Sequence, residues 1–272
     1  MKTVDIAYHY TSIDSLYKIL GIAGDDCCFR ATNAYYLNDP SEYIYAIQIL
    51  LKSMRAYEKQ NGIKDRKSDY FPEFKRFFSG LSHMPGDPYI LSFSDSGDEL
   101  SMWRAYGKDG TGVAIGLDLA ILSKKGEEPN TKFIKCIYDQ NFVISKLIDL
   151  WKTEYNKVNI ENHKTYTSSL KLLTTIFFLC FAAKRQPYNI ENECRLCKNE
   201  TSDDIVEFRV CNNVIIPFIT HRFKKDIVKK IVIGPCSTDK LVKKSLELFL
   251  EKYGYPLNKS SVVTSRISYR QL

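Results

Sequence analysis

At 272 residues, with 44% hydrophobic and 26% charged side chains, the chain has the composition of an ordinary globular protein, which excludes disordered, collagen-like and coiled-coil classes. Its formal charge of +7 is unevenly spread: residues 1–183 hold 22 basic and 22 acidic groups, and residues 184–272 hold 17 and 10. The basic C-terminal third therefore predicts a polyanionic partner, a nucleic acid or a phosphate-bearing ligand, unless it is a solvated lysine-rich face.

Residues 4–7 read as an opening strand that ends in His9, Tyr10 and Thr11. Thr11 or Ser12 then caps an amphipathic helix through Ile13, Leu16, Tyr17, Ile19 and Leu20, stopped by Gly21. A second strand at 28–32 leads to Asn38-Asp39-Pro40, a turn whose proline suits the first turn of a helix carrying Ile44, Ile47, Leu51 and Met54 on one face. The lysine-rich stretch 60–69 reads as an exposed loop. Alternation predicts a strand at 89–94, followed by a short helix at 100–106 with Trp103, a strand at 113–117 and another at 133–138. Helical periodicity over 141–183, broken near Asn162-His163, predicts two long helices. The apolar run 170–183, interrupted by Lys171, is shorter than the roughly 18 residues of a spanning helix and reads as a buried core helix. Strand signals return at 194–197, 205–210, 214–218 and 231–233. A helix with Leu241, Val242, Leu246 and Phe249 ends at Gly254, and apolar residues at 261–263 and Ile267 close the chain. Without repeats or a linker, we expect one α+β domain over 1–272 with helical insertions at about 40–80 and 140–183. The start lacks a charged-then-apolar leader pattern and the eight cysteines lack a secretory context, so a cytoplasmic protein with reduced thiols and no membrane association is expected.

Four polar clusters lie beside these strands: His9-Tyr10-Thr11, Tyr36 with Asn38-Asp39, Ser92-Phe93-Ser94 with Trp103 and Tyr106, and Glu191-Asn192-Glu193-Cys194-Arg195. Strand ends are where scaffolds present functional groups, so the four could converge on one cleft. Each also has a plain structural duty: a junction histidine, turn chemistry, sheet alternation, a solvated loop. Phosphate-loop, dinucleotide-fold and hydrolase-elbow motifs are missing. Four scattered histidines (9, 83, 163 and 221) and one C-x-x-C, Cys194 to Cys197, whose thiols fall on opposite faces of a strand, do not compose a zinc site. A metal-free mechanism remains. Histidine, tyrosine and a carboxylate together suit cleavage of a glycosidic bond through a positively charged sugar, the carboxylate stabilising the oxocarbenium, the aromatic stacking on the base, and His and Thr holding ribose hydroxyls.

Six ordered motifs carry a resemblance: H-Y-T-S-x-x-x-L-x-x-I-L from His9, L-N-D-P-S-E from Leu37, S-F-S-x-x-x-D-x-L-S-M-W-R-x-Y from Ser92, E-x-E-x-R-L from Glu191, I-G-P from Ile233 and S-R-I-x-Y-R from Ser265. Together they resemble a bacterial family of formerly unknown function found among phage-defence and toxin-like effectors, which is more distantly similar to the ADP-ribosyltransferase fold, including DNA-targeting toxins. The resemblance implies a bent, split mixed β-sheet around a cleft for NAD, used as a substrate and without a metal. It implies that His9, with Tyr10 and Thr11 beside it, hydrogen-bonds NAD ribose, and that Tyr36 packs on nicotinamide. It further implies that Glu193 holds the nicotinamide-ribose hydroxyl while Glu191 activates the acceptor. Asn38, Ser92, Ser94, Trp103, Tyr106 and Arg195 fall in the same motifs and are expected to line the NAD site. The tyrosine assignment is open among Tyr35, Tyr36, Tyr43 and Tyr106.

Three functions follow. The leading one is an NAD-dependent ADP-ribosyltransferase, a toxin or anti-phage effector modifying a nucleic-acid or protein acceptor, with a neutralising or sensing partner protein. The second is an NAD glycohydrolase, in which water replaces the acceptor. The third is a non-catalytic protein that keeps the fold and binds nucleic acid. The catalytic readings share a geometric demand: His9 and Glu193, 184 positions apart, must face one cleft.

Overall fold

The first strand does not stop where its apolar run stops. In the computed structural model β1 is Ile6–Thr11, paired residue for residue with β4 (Val113–Asp118) from Ile6↔Asp118 to Thr11↔Val113, so His9, Tyr10 and Thr11 are strand residues. Residues 5–22, 24–38, 42–62, 87–155, 175, 178–237 and 240–270 are described. Ser12 is the cap that starts α1 (Ile13–Leu20), its Oγ accepting from the Ser15 amide at 3.1 Å, and the Gly21 amide closes the helix on the Tyr17 carbonyl at 2.8 Å. Leu16, Ile19 and Leu20 form its buried stripe.

The remaining strands are β2 (Asp26–Asn33), β3 (Pro88–Ser94), β5 (Thr131–Lys135), β6 (Glu193–Asn199), β7 (Glu207–Cys211), β8 (Val214–Lys224), β9 (Val228–Ile233) and β10 (Val262–Thr264). They form one mixed sheet that does not close, antiparallel except for the β9–β10 pair. With α2 (Glu42–Gln60), α3 (Leu100–Ala105), α4 (Leu119–Lys125), α5 (Gln140–Tyr155) and α6 (Lys240–Lys252), the class is α+β. No helix among the described residues is long and apolar enough to cross a membrane. The α2 and α5 helices, from the two expected insertions, pack on each other.

β3 is the branch point. β6 pairs with its whole length, Pro88↔Asn199 to Ser94↔Glu193, and takes one edge. The other edge is shared: β2 pairs at Tyr89 and Ile90, β1 only at Ser94. Between them the sheet forks over Leu91, Ser92 and Phe93. A backbone carbonyl at a fork has no ladder partner and must find one elsewhere. The core lies beside the fork, where Ala7, Phe29, Phe93, Ile115, Leu196, Ile219 and Ile231 are buried under α1 and α6, each large side chain contributing about 1.5–3 kcal/mol by leaving water.

Several motifs turn out to hold this frame together. Asp98 accepts from Trp103 Nε1 at 2.8 Å, Ser265 Oγ at 2.6 Å and the Arg266 amide at 2.8 Å, tying the S-F-S-x-x-x-D loop to the C-terminal S-R-I segment. In the I-G-P turn the Gly234 amide donates to the Gly112 carbonyl at 2.9 Å, and a Cβ on Gly234 would stand 2.3 Å from the Gly110 carbonyl oxygen, so the close approach needs glycine.

The expected elements mostly recur, with differences of local cause. α4 was not foreseen; Asp118, the last residue of β4, caps it by accepting from the Ala120 amide at 2.9 Å. β8 runs eleven residues rather than five, because Thr220 and Arg222, beyond Phe218, put polar groups on the side away from the core while His221, between them, turns inward. β5 lies two residues earlier than its apolar pattern. Phe178 and residues 180–183 are buried, as expected of that core helix, but the break near Asn162-His163, Asp39-Pro40 and most of the 60–69 stretch lie outside the described residues.

One core residue is unusual. His221, on β8, is buried with no hydrogen-bond partner for Nε2 among the described residues. Burial, with the charges of Lys125 and Lys198 adding, lowers its pKa from the ordinary 6.5 to about 4. The unfolded chain therefore takes up this proton first as pH falls, so the stability due to the neutral ring is whole above pH 6.5 and lost on the way down to about pH 4. Urea denaturation between those limits should show His221→Phe spared about 3 kcal/mol of the loss suffered by the natural protein. Equal pH slopes for the two would refute this account of the ring.

Candidate functional site

His9 fills the fork. Its Nδ1 lies 3.0 Å from the Ser92 carbonyl oxygen. A carbonyl only accepts, so Nδ1 carries the proton and Nε2 is left as the acceptor. The ring rests edge-on against Phe29 (5.6 Å) and Phe93 (6.1 Å), both in the core. Burial, opposed by the Ser92 hydrogen bond and reinforced by the charge of Arg209, lowers the histidine's pKa and keeps it neutral at physiological pH.

A groove of about 320 Å³ opens in front of it. Its first wall is the end of β1, with His9, Tyr10 and Thr11. Tyr36 and Asn38, from the turn after β2, stand on another side, and Ser92 forms the floor. Tyr106, Glu191, Glu193 and Arg195 line the remainder. His9 and Glu193 both line this groove. Of the competing tyrosines, Tyr36, 43% exposed, and Tyr106 line the groove. Tyr35 is not among its walls, and the side chain of Tyr43 lies outside those described.

Two expected residues stand elsewhere. Trp103 is fully buried, its ring against Tyr10 at 4.8 Å and its Nε1 on Asp98. Ser94 is also fully buried, its Oγ donating to the Glu191 carbonyl at 2.7 Å. Their work is to hold the walls: Ser94 shares the face of β3 with Ser92 but is covered by the Glu191 segment it bonds, and Trp103 is enclosed between Tyr10 and Asp98. Tyr10 shares this duty, with its hydroxyl donating to the Ser96 carbonyl at 2.9 Å and accepting from the Glu99 amide at 3.1 Å.

The E-x-E segment is shaped by Asn192, in the left-handed region at φ 42°, which ends a short 3₁₀ turn at Glu191 and starts β6 at Glu193. The bend brings both carboxylates onto Lys184, whose ammonium bonds Glu191 Oε2 and Glu193 Oε2. Arg195 grips Glu193 from the other side with Nε to Oε1 at 2.7 Å and Nη2 to Oε2 at 2.8 Å, a bidentate pair. Burial would raise the Glu193 pKa, but the charge and hydrogen bonds of Arg195 and Lys184 outweigh it and hold the carboxyl well below its usual range. Glu191 is the more open carboxylate, accepting from Tyr106 Oη at 3.1 Å. Burial and the Glu191 charge push that phenol up to about 12, so it remains a donor.

Sequence reasoning missed Lys184, Tyr188, Arg30 and Arg209, which also line the groove. Lys184 had a signal: it ends a buried apolar run seven positions before Glu191. Arg30 had none beyond alternation with buried neighbours, and Arg209, on a strand whose residues are all exposed, had none.

A family model described as "Protein of unknown function (DUF2971)" matches residues 102–196, which span Tyr106, Lys184 and the E-x-E segment but not His9. Among curated proteins and solved structures nothing matches the chain.

Lys184, Glu193 and Arg195 are each at most 7% exposed. Breaking such a cluster on one side leaves an uncompensated buried charge, so Arg195→Met should cost about 3–5 kcal/mol in urea denaturation. Glu193→Leu added to Arg195→Met should recover at least half of the loss. A double variant as unstable as the single one would show that the cost lies in packing.

Proposed function

We propose that the chain breaks the nicotinamide–ribose bond of NAD and transfers ADP-ribose, on a forked sheet of the ADP-ribosyltransferase-like type. The observation that carries this reading is the convergence of His9 with Glu191 and Glu193 on one groove, across a fork where the histidine is held as a neutral acceptor. In the reaction, the bond between C1′ and the pyridinium nitrogen breaks, its electron pair passes to the ring, and nicotinamide leaves neutral. The sugar becomes an oxocarbenium ion, which a nucleophilic nitrogen or oxygen of the acceptor captures while losing a proton.

Each wall suits a part of this. His9 Nε2 accepts from a ribose hydroxyl. Glu193 keeps a lone pair on Oε1, since its described contacts there are one bond from Arg195. The two carboxylates are balanced in charge by Lys184 and Arg195, so stabilisation of the cation comes from the oxygens nearest C1′ rather than from net charge, distance being what decides in Coulomb's law. Glu191, more open and bonded to Tyr106, would take the acceptor's proton. Tyr36 or Tyr106 offers a ring to nicotinamide. An enzyme of this type would be toxic to the cell that holds it, in keeping with a role as a toxin or anti-phage effector.

Nicotinamide release from NAD, followed by chromatography with NAD labelled in the adenylate phosphate, tests the proposal. The natural protein should release nicotinamide, Glu191→Gln and Glu193→Gln should each lose about 10²–10³-fold, and His9→Ala should also lose activity while keeping its circular dichroism spectrum. Label kept on a macromolecule supports transfer, whereas free ADP-ribose alone makes the chain a glycohydrolase. If His9→Ala and Glu193→Gln both leave the rate unchanged, NAD is not the substrate.

A further inference from the structure

Beyond the fork the groove continues into a second, larger one of about 460 Å³, and His9, Thr11, Arg30, Thr32 and Arg209 line both. Its floor is the outer face of β2–β8–β7. On β2, Cys27, Phe29 and Ala31 face the core, so Cys28, Arg30 and Thr32 face out. In register beside them on β8 are Arg222, Thr220 and Phe218, and β7 adds Glu207 and Arg209. Lys18 of α1 overhangs the far end.

Lys18 pairs with the exposed Asp14 at 2.6 Å, and among the described residues the three arginines carry no such pair. Arg30 stacks on Phe218 at 4.5 Å, Arg209 donates to Thr32 Oγ1 at 3.1 Å, and Arg222 touches only the Cys28 sulfur at 3.5 Å. Among the described residues none of the three arginines has a carboxylate partner. Glu207, the one carboxylate among the described residues that line this groove, is bonded to Thr220. The row from Thr32 to Cys28 spans four residue steps, about 13 Å at the rise of a strand. Two phosphates joined by one bridging oxygen cannot reach both ends of such a row, and a nucleoside end would set an uncharged base against Arg222 and Lys18. Successive phosphates of one strand would satisfy all four cations, and the exposed rings of Tyr36 and Tyr188 on the adjoining groove offer stacking surfaces for unpaired bases.

We infer that the outer face of β2–β8–β7 is a track for a single-stranded nucleic acid, which makes that strand the acceptor; the second half of the inference rests on the transferase reading, the first does not. The test is anisotropy of a fluorescein-labelled mixed-sequence oligonucleotide about 12 nucleotides long, as DNA and as RNA, titrated across salt, with nicotinamide release measured on the same proteins. Arg222→Gln with Lys18→Gln, both exposed and away from the fork, should weaken binding at least tenfold and flatten the salt slope by about 1.4. They should leave nicotinamide release into water unchanged. Lys244→Gln with Lys252→Gln on α6, removing equal charge elsewhere, should change neither. Absence of binding at low salt, or equal loss in the α6 control, overturns the track. So does a raised KM for NAD in the Arg222/Lys18 variant with binding intact, which would give this groove to NAD, whereas label found on protein alone overturns the acceptor half of the inference. Binding that depends on Arg222 and Lys18 in a protein that never releases nicotinamide upholds the track and removes the transferase reading.

Discussion

The hydrogen bond from His9 to the Ser92 carbonyl is the constraint on which the rest of the site depends. Two strands compete for one edge of β3, and neither can reach its middle. The open carbonyl between them needs a donor, and a buried unsatisfied one would cost about 1–3 kcal/mol. Histidine meets the need with one nitrogen and keeps the other as an acceptor. A serine or asparagine could also donate, but neither would fill the space between Phe29 and Phe93 with a flat ring. The same bond that closes the fork therefore fixes the tautomer and direction of a ring that lines the groove.

The opposite wall is built on a different balance. Two carboxylates, an ammonium and a guanidinium share a dry volume, an arrangement that seldom adds stability over apolar packing. What it provides is position. Glu193 is held by two cations, Glu191 by Lys184, Tyr106 and, through its own carbonyl, Ser94. Tyr138 fixes the backbone further, its hydroxyl accepting from the Glu193 amide at 2.9 Å. On the proposed reading, charges fixed before the substrate arrives need not reorganise as the oxocarbenium forms.

Much of this was legible in the chain because it rests on local rules. The polar run after the first apolar residues marked a junction, and Ser12 does cap a helix there, but periodicity could not tell that His9 still belongs to the strand, since a polar residue facing a fork reads like one facing water. Trp103 and Ser94 were read as ligand contacts because they sit in the same motifs as Tyr106 and Ser92. Ser94 shares with Ser92 the face of β3 turned toward the groove, and what separates them is cover by the Glu191 segment, brought there by pairing between β3 and β6, more than ninety positions apart, while Trp103 is enclosed by Tyr10 of β1. Lys184 escaped notice because a lone lysine at the end of an apolar helix normally reaches for solvent, and only the bend at Asn192 brings carboxylates to it.

Charge shows the same gap between chain and fold. Counting by segment puts the basic excess in the last third, yet many of those lysines are paired or lie on α6 and β9, away from the fork; Lys224 pairs with Asp26 and Lys229 with Asp118. The unpaired guanidinium groups that gather beside His9 come from both ends of the chain: Arg30 from β2, Arg209 and Arg222 from the β7–β8 hairpin. They become one surface because β2 pairs with β8 over seven residues in register. A potential felt by a polyanion depends on which charges share a face and remain free of partners, and strand pairing, not position along the chain, determines that here.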